Sequence, residues 1–593
     1  IPYPDFSLRP PLTVLSQGKL TSQEAPAQLW KDRSLTNIGP ALKGFPEGEL
    51  ELVLSSDLQK IKSESFQEIQ QPYLSQKNME LAENTFQIAD LGTNLTGFIG
   101  CQVDCSQAAT LILVFDEILT GQDVDFKRLG CVSAVGYELQ PGKYSLESFE
   151  PYTFRYLKLL VLKGRCTITN IYLREYADDQ TGPAEFSCDD ARLNQIFEAA
   201  RQTFRQNAVD IFMDCPSRER AGWLCDSFFT ARVAADLNGH TAIEKNFLEN
   251  FLLPEKFEFL PAGMLPMCYP ADHNDGVFIP NWAMWFVLEL PEYLTRSRDR
   301  EMVDALQPKV MALLEYFKSF QNEDGLLEKL NSWVFVEWSK ANEFTQDVNY
   351  PSNMLYAAVL ETAGKLYGRT DLLAQAETIR QTIREKSFDG TFFTDNAIRQ
   401  DGQLQKTANR TEVCQYYAFF FNVATPTTHP ALWDSLCHEF GPKRDASKTR
   451  PEIAPANAFI GNYLRLELLS RYGLCGQVKN EIVDYFLYMA QITGTLWENV
   501  GAYASCNHGF ASHVAHVLYR DVLGIYAVDS QHKTVHLRLG DTGLNGCEGK
   551  MPTADGLLSI RWQKEGNTIR YHAQLPPDYQ LQIETLGDIQ AVP

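Results

Sequence analysis

The chain has 593 residues with 53 Lys and Arg against 75 Asp and Glu, a formal charge of −22, and is 44% hydrophobic and 12% aromatic. At about 150 residues per domain the length allows three to four domains, and a composition this apolar excludes a disordered chain. The acidity repels phosphate backbones, which excludes nucleic acid as a partner, and no apolar run approaches the roughly 18 residues of a membrane-spanning helix.

The chain starts at Ile1 with neither a Met nor a basic-then-apolar leader, which fits a processed secretory protein or a trimmed chain equally well and leaves the location open; the expected location, secreted or periplasmic, does not rest on the N-terminus. From Thr85 to Tyr176, segments such as Thr110–Phe115, Tyr137–Leu139 and Tyr156–Leu162 alternate or run apolar between turns like Gln140-Pro141-Gly142-Lys143. That pattern predicts an antiparallel β-sandwich within an N-terminal region spanning 1–184.

From Asp189 the period becomes helical: Leu193, Ile196, Phe197 and Ala200 follow the i, i+3, i+4, i+7 rule behind an Asp189-Asp190 cap. Similar stretches recur near 222–238, 281–296, 301–320, 351–367, 371–386, 454–471, 476–490 and 508–522. About a dozen consecutive helices with no strand pattern between them predict an all-helical toroid over 185–524, and the lack of a fixed-period repeat disfavours a solenoid. After Gly524, strand patterns at Thr534–Leu539, Leu557–Gln563 and Thr568–Leu575 predict a small C-terminal β-sandwich over 525–593.

The 13 cysteines contain no CxxC pair, so a zinc ribbon and a small disulfide scaffold are both excluded. Cys101 and Cys105 are near enough in sequence to bridge across a strand-turn region, whereas Cys225 and Cys414 fall in helical patterns where a buried thiol is expected. No P-loop, dinucleotide loop or G-x-S-x-G elbow occurs, so nucleotide cofactors and serine-hydrolase chemistry are disfavoured.

The densest polar segment is Asp214-Cys-Pro-Ser-Arg218-Glu219-Arg220-Ala-Gly-Trp223-Leu-Cys-Asp226. Carboxylates held beside arginines take distinct ionisation states, as acid–base chemistry requires; a solvated, salt-bridged loop is the plain alternative. Far downstream, Trp497-Glu498-Asn499 precedes Asn507-His508-Gly509, an aromatic, a carboxylate and an imidazole suited to a sugar ring. Trp282, Trp285, Trp333 and Trp338 lie between the two segments and point to an aromatic-lined cleft, although core packing explains any one of them alone. His513 and His516 share a helix face without an HExxH motif, so they read as core or supporting histidines and no metal is expected.

The segment Asp214–Asp226 resembles the signature of the family 78 glycoside hydrolases, the α-L-rhamnosidases. Phe86-Gln-Ile-Ala-Asp90-Leu-Gly92, Phe154-Arg155-Tyr156-Leu157-Lys158 and Gly556-Leu-Leu-Ser-Ile-Arg-Trp562 are similar to the flanking sandwiches of that family. The resemblance implies an (α/α)6 barrel between two β-sandwiches, and an inverting hydrolysis of terminal α-L-rhamnosides without a cofactor. It further implies that Glu219 is the general acid and Glu498 the general base, that Asp214, Arg218, Asp226 and His508 bind the sugar with Trp223, and that Trp282 and Trp333 or Trp338 add to the pocket. Leu224-Cys225 replaces the usual small polar pair, Glu498 is followed by Asn-Val rather than Arg-Trp, and Glu337 stands where an Asp is common. These departures leave two alternatives: the same fold acting on another deoxy or uronic sugar, or a non-catalytic carbohydrate-binding relative. The retained glutamates argue against the second.

Overall fold

A computed structural model describes residues 3–32, 53–271 and 276–593. The N-terminal part is a ten-stranded sheet organised on one long strand, Thr85–Cys105, which pairs antiparallel with Thr13–Ser22, Gly142–Glu147, Tyr152–Lys163 and Arg165–Glu175. Both of its faces are covered. Leu111, Leu113 and Phe115 pack with Leu157, Leu159 and Val161 on one side, while the alternate residues Ile112 and Val114 pack with Phe86, Ile88 and Leu160 on the other. This explains why the strands read as continuous apolar runs rather than a strict alternation.

Helices follow from Ala191–Asn207 onward, and many have side-chain caps: Asp190, Asp299, Asn349 and Thr411 each accept the backbone N–H two or three residues on. Their burial alternates. Leu224–Asn238, Pro280–Ser297, Tyr350–Tyr367 and Gly461–Arg471 are buried nearly all round, whereas Arg300–Lys318 and Thr370–Ser387 bury one stripe. Such alternation is what two nested layers of helices produce. The two ends of the run meet: Ala191–Asn207 packs against Cys475–Thr493 and the 3-10 turn Gly509–His513. Buried hydrogen bonds seal that junction, from Asn207 to Asn507 at 2.8 Å and from the Leu496 amide to the Thr203 hydroxyl at 2.8 Å.

Three expectations need correction. The helical section is not free of strands: Val348–Asn349, Asn396–Gln400 and Gln403–Lys406 form a small sheet, with Asp401 and Gly402 at its turn, both at positive φ. Glu185–Cys188, at the start of that section, is an edge strand of the five-stranded C-terminal sheet, paired with Gly546–Thr553. Cys101 and Cys105 are free thiols four residues apart on one extended strand, a spacing of roughly 13 Å that no disulfide spans. Among the described residues no helix is long and apolar enough to cross a membrane.

Candidate active site

Between the helices Ala191–Asn207 and Leu224–Asn238 the chain closes a tight loop. The Asp214 amide donates to the Ala221 carbonyl and the Ala221 amide to Asp214 Oδ1, both at 3.0 Å. Arg220 turns the chain through the left-handed region, φ 54°. This loop presents Arg218 and Glu219, and Asp226 follows in the first turn of the next helix, where a carboxylate suits the exposed amides. The second segment docks alongside through the Gly509 amide, which reaches the Asp214 carbonyl at 2.7 Å. Within that segment the Glu498 amide donates to the Ser505 carbonyl and the His508 amide to the Leu496 carbonyl, both at 3.0 Å, so Glu498 and His508 are borne by paired stretches of backbone.

Two glutamates 279 positions apart thereby meet on one side chain. Arg218 Nε lies 3.4 Å from Glu219 Oε1, and its Nη2 lies 3.1 Å from Glu498 Oε2. A shared guanidinium caps the separation of the carboxylates near the upper end of the roughly 6.5–9.5 Å window that holds a water between an acid and a base. Behind them His508 Nε2 is 3.1 Å from Asp226 Oδ1. Burial opposes charge on His508, but the bond to Asp226 and the nearby Glu498 and Asp214 outweigh it and raise its pKa. Burial, with the Glu219 charge beside it, pushes the Asp214 carboxyl up to about 7. Among the described residues Asp214 Oδ2 and His508 Nδ1 are buried without a hydrogen-bond partner, so each has a capacity that a hydroxyl-bearing ligand would fill.

These groups form the polar floor of a cleft of about 710 Å³. Its walls are aromatic. Trp282, only 2% exposed, stacks on Phe459 at 5.9 Å and meets the edge of Phe335 at 4.7 Å, while Trp333 and Trp338 lie 5.7 Å apart. At the mouth Trp338 is 40% and Tyr503 64% exposed. Asn457 ties the two together, donating to the Trp338 carbonyl, the Tyr503 hydroxyl and Asn499 Oδ1.

Asp214, Arg218, Glu219, Trp223, Asp226, Trp282, Trp333, Trp338, Glu498 and His508 all line this cleft. Trp285 does not. One helical turn beyond Trp282, it is buried among Phe228, Phe229 and Phe421. His513 bonds Glu467 at 3.0 Å and His516 bonds Asp236 at 2.7 Å, both outside the cleft. Asn499, quoted in the sequence beside Glu498 without a role, lines the cleft, as do Phe335, Phe459 and Tyr503, which were not singled out; Tyr503 had a signal, its nearness to Glu498, and the two phenylalanines had none. Asp214, Cys215 and His508 present potential metal-ligand atoms within 4.8 Å of one another. Burial raises the Cys215 thiol well above its ordinary pKa, which works against the thiolate that a metal needs.

Glu337 is buried behind the wall, where its Oε1 accepts the amides of Asn457 at 3.0 Å and Gly461 at 2.6 Å. A Cβ at Gly461 would come within 2.5 Å of that oxygen, so the contact requires glycine. Burial pushes the Glu337 carboxyl from its ordinary 4.5 up to about 7. A pKa raised in the folded state contributes stability that is full below the unfolded value and is lost as pH rises through the folded one, here between about 4.5 and 7. Glu337→Gln has no such contribution to lose. Its melting temperature relative to the native chain should therefore rise between pH 5 and pH 8, and a pH-independent offset in thermal melts would contradict the buried-acid reading.

The family model described as the bacterial alpha-L-rhamnosidase 6 hairpin glycosidase domain matches residues 180–522. An alpha-L-rhamnosidase of Formosa agariphila is 23% identical over 270 residues, 43% of this chain and 28% of that protein. One of Alteromonas sp. strain LOR is 21% identical over 517 residues, 80% of this chain and 53% of that protein. A family 78 rhamnosidase structure from Bacillus sp. GL1 superposes with a TM-score of 0.80 at 19% identity, covering 91% of this chain and 58% of the other. The chain thus spans about half, or less, of the length of the curated relatives it matches.

Proposed function

The chain belongs to the bacterial α-L-rhamnosidase six-hairpin glycosidase domain family, and on that premise we propose that it is an exo-acting hydrolase releasing terminal α-L-rhamnose with inversion. In this reading the helices from Ala191 to Leu523 form a closed (α/α)6 barrel whose mouth carries the cleft, the regions before and after it are its flanking β-sandwiches, with Glu185–Cys188 joining the C-terminal one, and the protein works outside the cytoplasm.

The observation that carries the proposal is the pair Glu219 and Glu498 on one partly buried arginine at the floor of an aromatic cleft. Glu219 is the general acid, delivering a proton to the glycosidic oxygen as the bond breaks. Glu498 is the general base, activating a water for attack on the opposite face of the ring. Arg218 restrains both side chains, so little reorganisation is needed as charge develops. Asp214 and His508, with their unpartnered polar atoms, and Asp226 behind them hold the sugar hydroxyls. Trp223, Trp282 and Phe459 cover the apolar part of the ring, including the methyl that rhamnose carries where most hexoses have a hydroxymethyl. Trp338 and Tyr503 at the exposed mouth receive the leaving group, with Trp333 beside them.

Screening 4-nitrophenyl glycosides tests the reading. Release of nitrophenol from the α-L-rhamnoside, at least tenfold faster than from fucoside, glucoside and glucuronide, is expected. Preference for another deoxy or uronic sugar would reassign the substrate, and rhamnose-dependent thermal stabilisation without turnover would make the protein a binding relative.

A further inference from the structure

The helical section alone does not hold the segment that carries Glu498. Val500 and Tyr503 on it are exposed, yet its returning stretch is gripped from the N-terminal sheet. The strand Ala109–Asp116 ends in two buried carboxylates, Asp116 and Glu117, and Arg128 folds back over them. All five guanidinium N–H groups are used. Nε donates to Asp116 Oδ2 at 2.8 Å, Nη2 to Asp116 Oδ1 at 2.7 Å and Glu117 Oε2 at 2.8 Å, and Nη1 to the carbonyls of Ala502 at 3.0 Å and Ala504 at 2.8 Å. Glu117 completes the grip: its Oε2 accepts the Cys506 amide and its Oε1 the Asn94 amide group, both at 2.9 Å. Residues 502, 504 and 506 are thus tied down on both sides of Ser505, whose carbonyl accepts the Glu498 amide.

Burying a cation with two carboxylates is costly and in general adds little net stability, so a cluster this complete calls for a role beyond holding the fold. The planar fork of arginine can bind two carboxylates and two carbonyls at once, which a lysine ammonium cannot. Resting on the reading of Glu498 as the base, we propose that Arg128, with Glu117, is a positioning residue: it sets the backbone that carries Glu498 and His508, so that the β-sheet region takes part in catalysis from outside the helical section. Arg155 supplies an internal contrast, since it ties Asp90 of the same sheet to the carbonyl of Ile492 and does not touch residues 498–508.

The test compares the full chain with Arg128→Ala, Arg128→Lys, Glu117→Gln and, as the docking control, Arg155→Ala. It measures turnover of 4-nitrophenyl α-L-rhamnoside and amide hydrogen exchange over 498–508. Both Arg128 variants should lose on the order of 10–100-fold in kcat, as a misplaced catalytic group does, with a smaller rise in KM because His508 shares the displaced backbone. Exchange over 498–508 should quicken, millimolar guanidinium should restore part of the Arg128→Ala turnover, and Arg155→Ala should change neither readout. Native exchange and kcat in a folded Arg128→Ala would overturn the proposal, as would an equal loss in Arg155→Ala, which would mean that the sheet only needs to dock. If Arg128→Ala does not fold, the isosteric Glu117→Gln decides by the same two readouts. If the native chain hydrolyses no rhamnoside, the base assignment fails while the exchange measurement still judges the clamp.

Discussion

Glu219→Gln is expected to lower kcat on a rhamnoside with an alkyl or sugar leaving group by about 10²–10⁴-fold, the usual contribution of a positioned general acid. That loss corresponds to roughly 3–5 kcal/mol of barrier. The side chains are nearly isosteric, and Gln Oε1 can keep the approach to Arg218 Nε now seen at 3.4 Å, so folding and KM should hold. The loss should shrink on a 4-nitrophenyl rhamnoside, whose leaving group departs without a proton. Steady-state kinetics on the two substrates check this, and an equal loss on both would remove Glu219 from the leaving-group side.

Glu498→Gln should cost as much, about 10²–10⁴-fold in kcat, but for a different reason and with a different signature. Activation of water is needed whatever leaves, so the loss should be the same for nitrophenyl and alkyl rhamnosides. Gln still accepts from Arg218 Nη2, as Glu498 Oε2 does at 3.1 Å, and the Glu498 backbone amide remains paired with Ser505. The geometry should therefore survive while basicity is lost. A leaving-group-dependent loss would contradict the assignment. The contrast between the two variants carries more information than either alone, because general destabilisation would not separate the substrates.

Much of this site was legible in the residues because its chemistry is concentrated in two short segments. Thirteen consecutive positions, Asp214 to Asp226, supply Asp214, Arg218, Glu219, Trp223 and Asp226. A local loop closed by Asp214 and Ala221 sets their relative positions, and local geometry is what a sequence pattern encodes best. Most of the longer helices were legible from their apolar stretches, whereas the nine-residue helices Ala242–Asn250, Glu412–Phe420 and Pro430–His438 fall outside the stretches that stood out, too short to establish a period. The turn at Asp401-Gly402 was a hairpin signal in plain view, overridden by the helical run around it. Trp285 shows the limit of reading aromatics by density: it shares a helix with Trp282, yet one turn decides between cleft wall and core. What the sequence could not disclose were contacts created only by closure of the fold. Phe335 and Phe459 meet Trp282 from distant loops, and Arg128 reaches carbonyls more than 370 positions away. No local pattern marks such partners.

The most direct test of the central claim, an acid and a base on opposite faces of the sugar, is the anomer formed first. Proton NMR of the native chain acting on an α-L-rhamnoside, followed on a timescale faster than mutarotation, should show β-L-rhamnose appearing first and the α anomer rising later. Initial release of α-L-rhamnose would mean retention through a covalent intermediate and would contradict the roles given to Glu219 and Glu498.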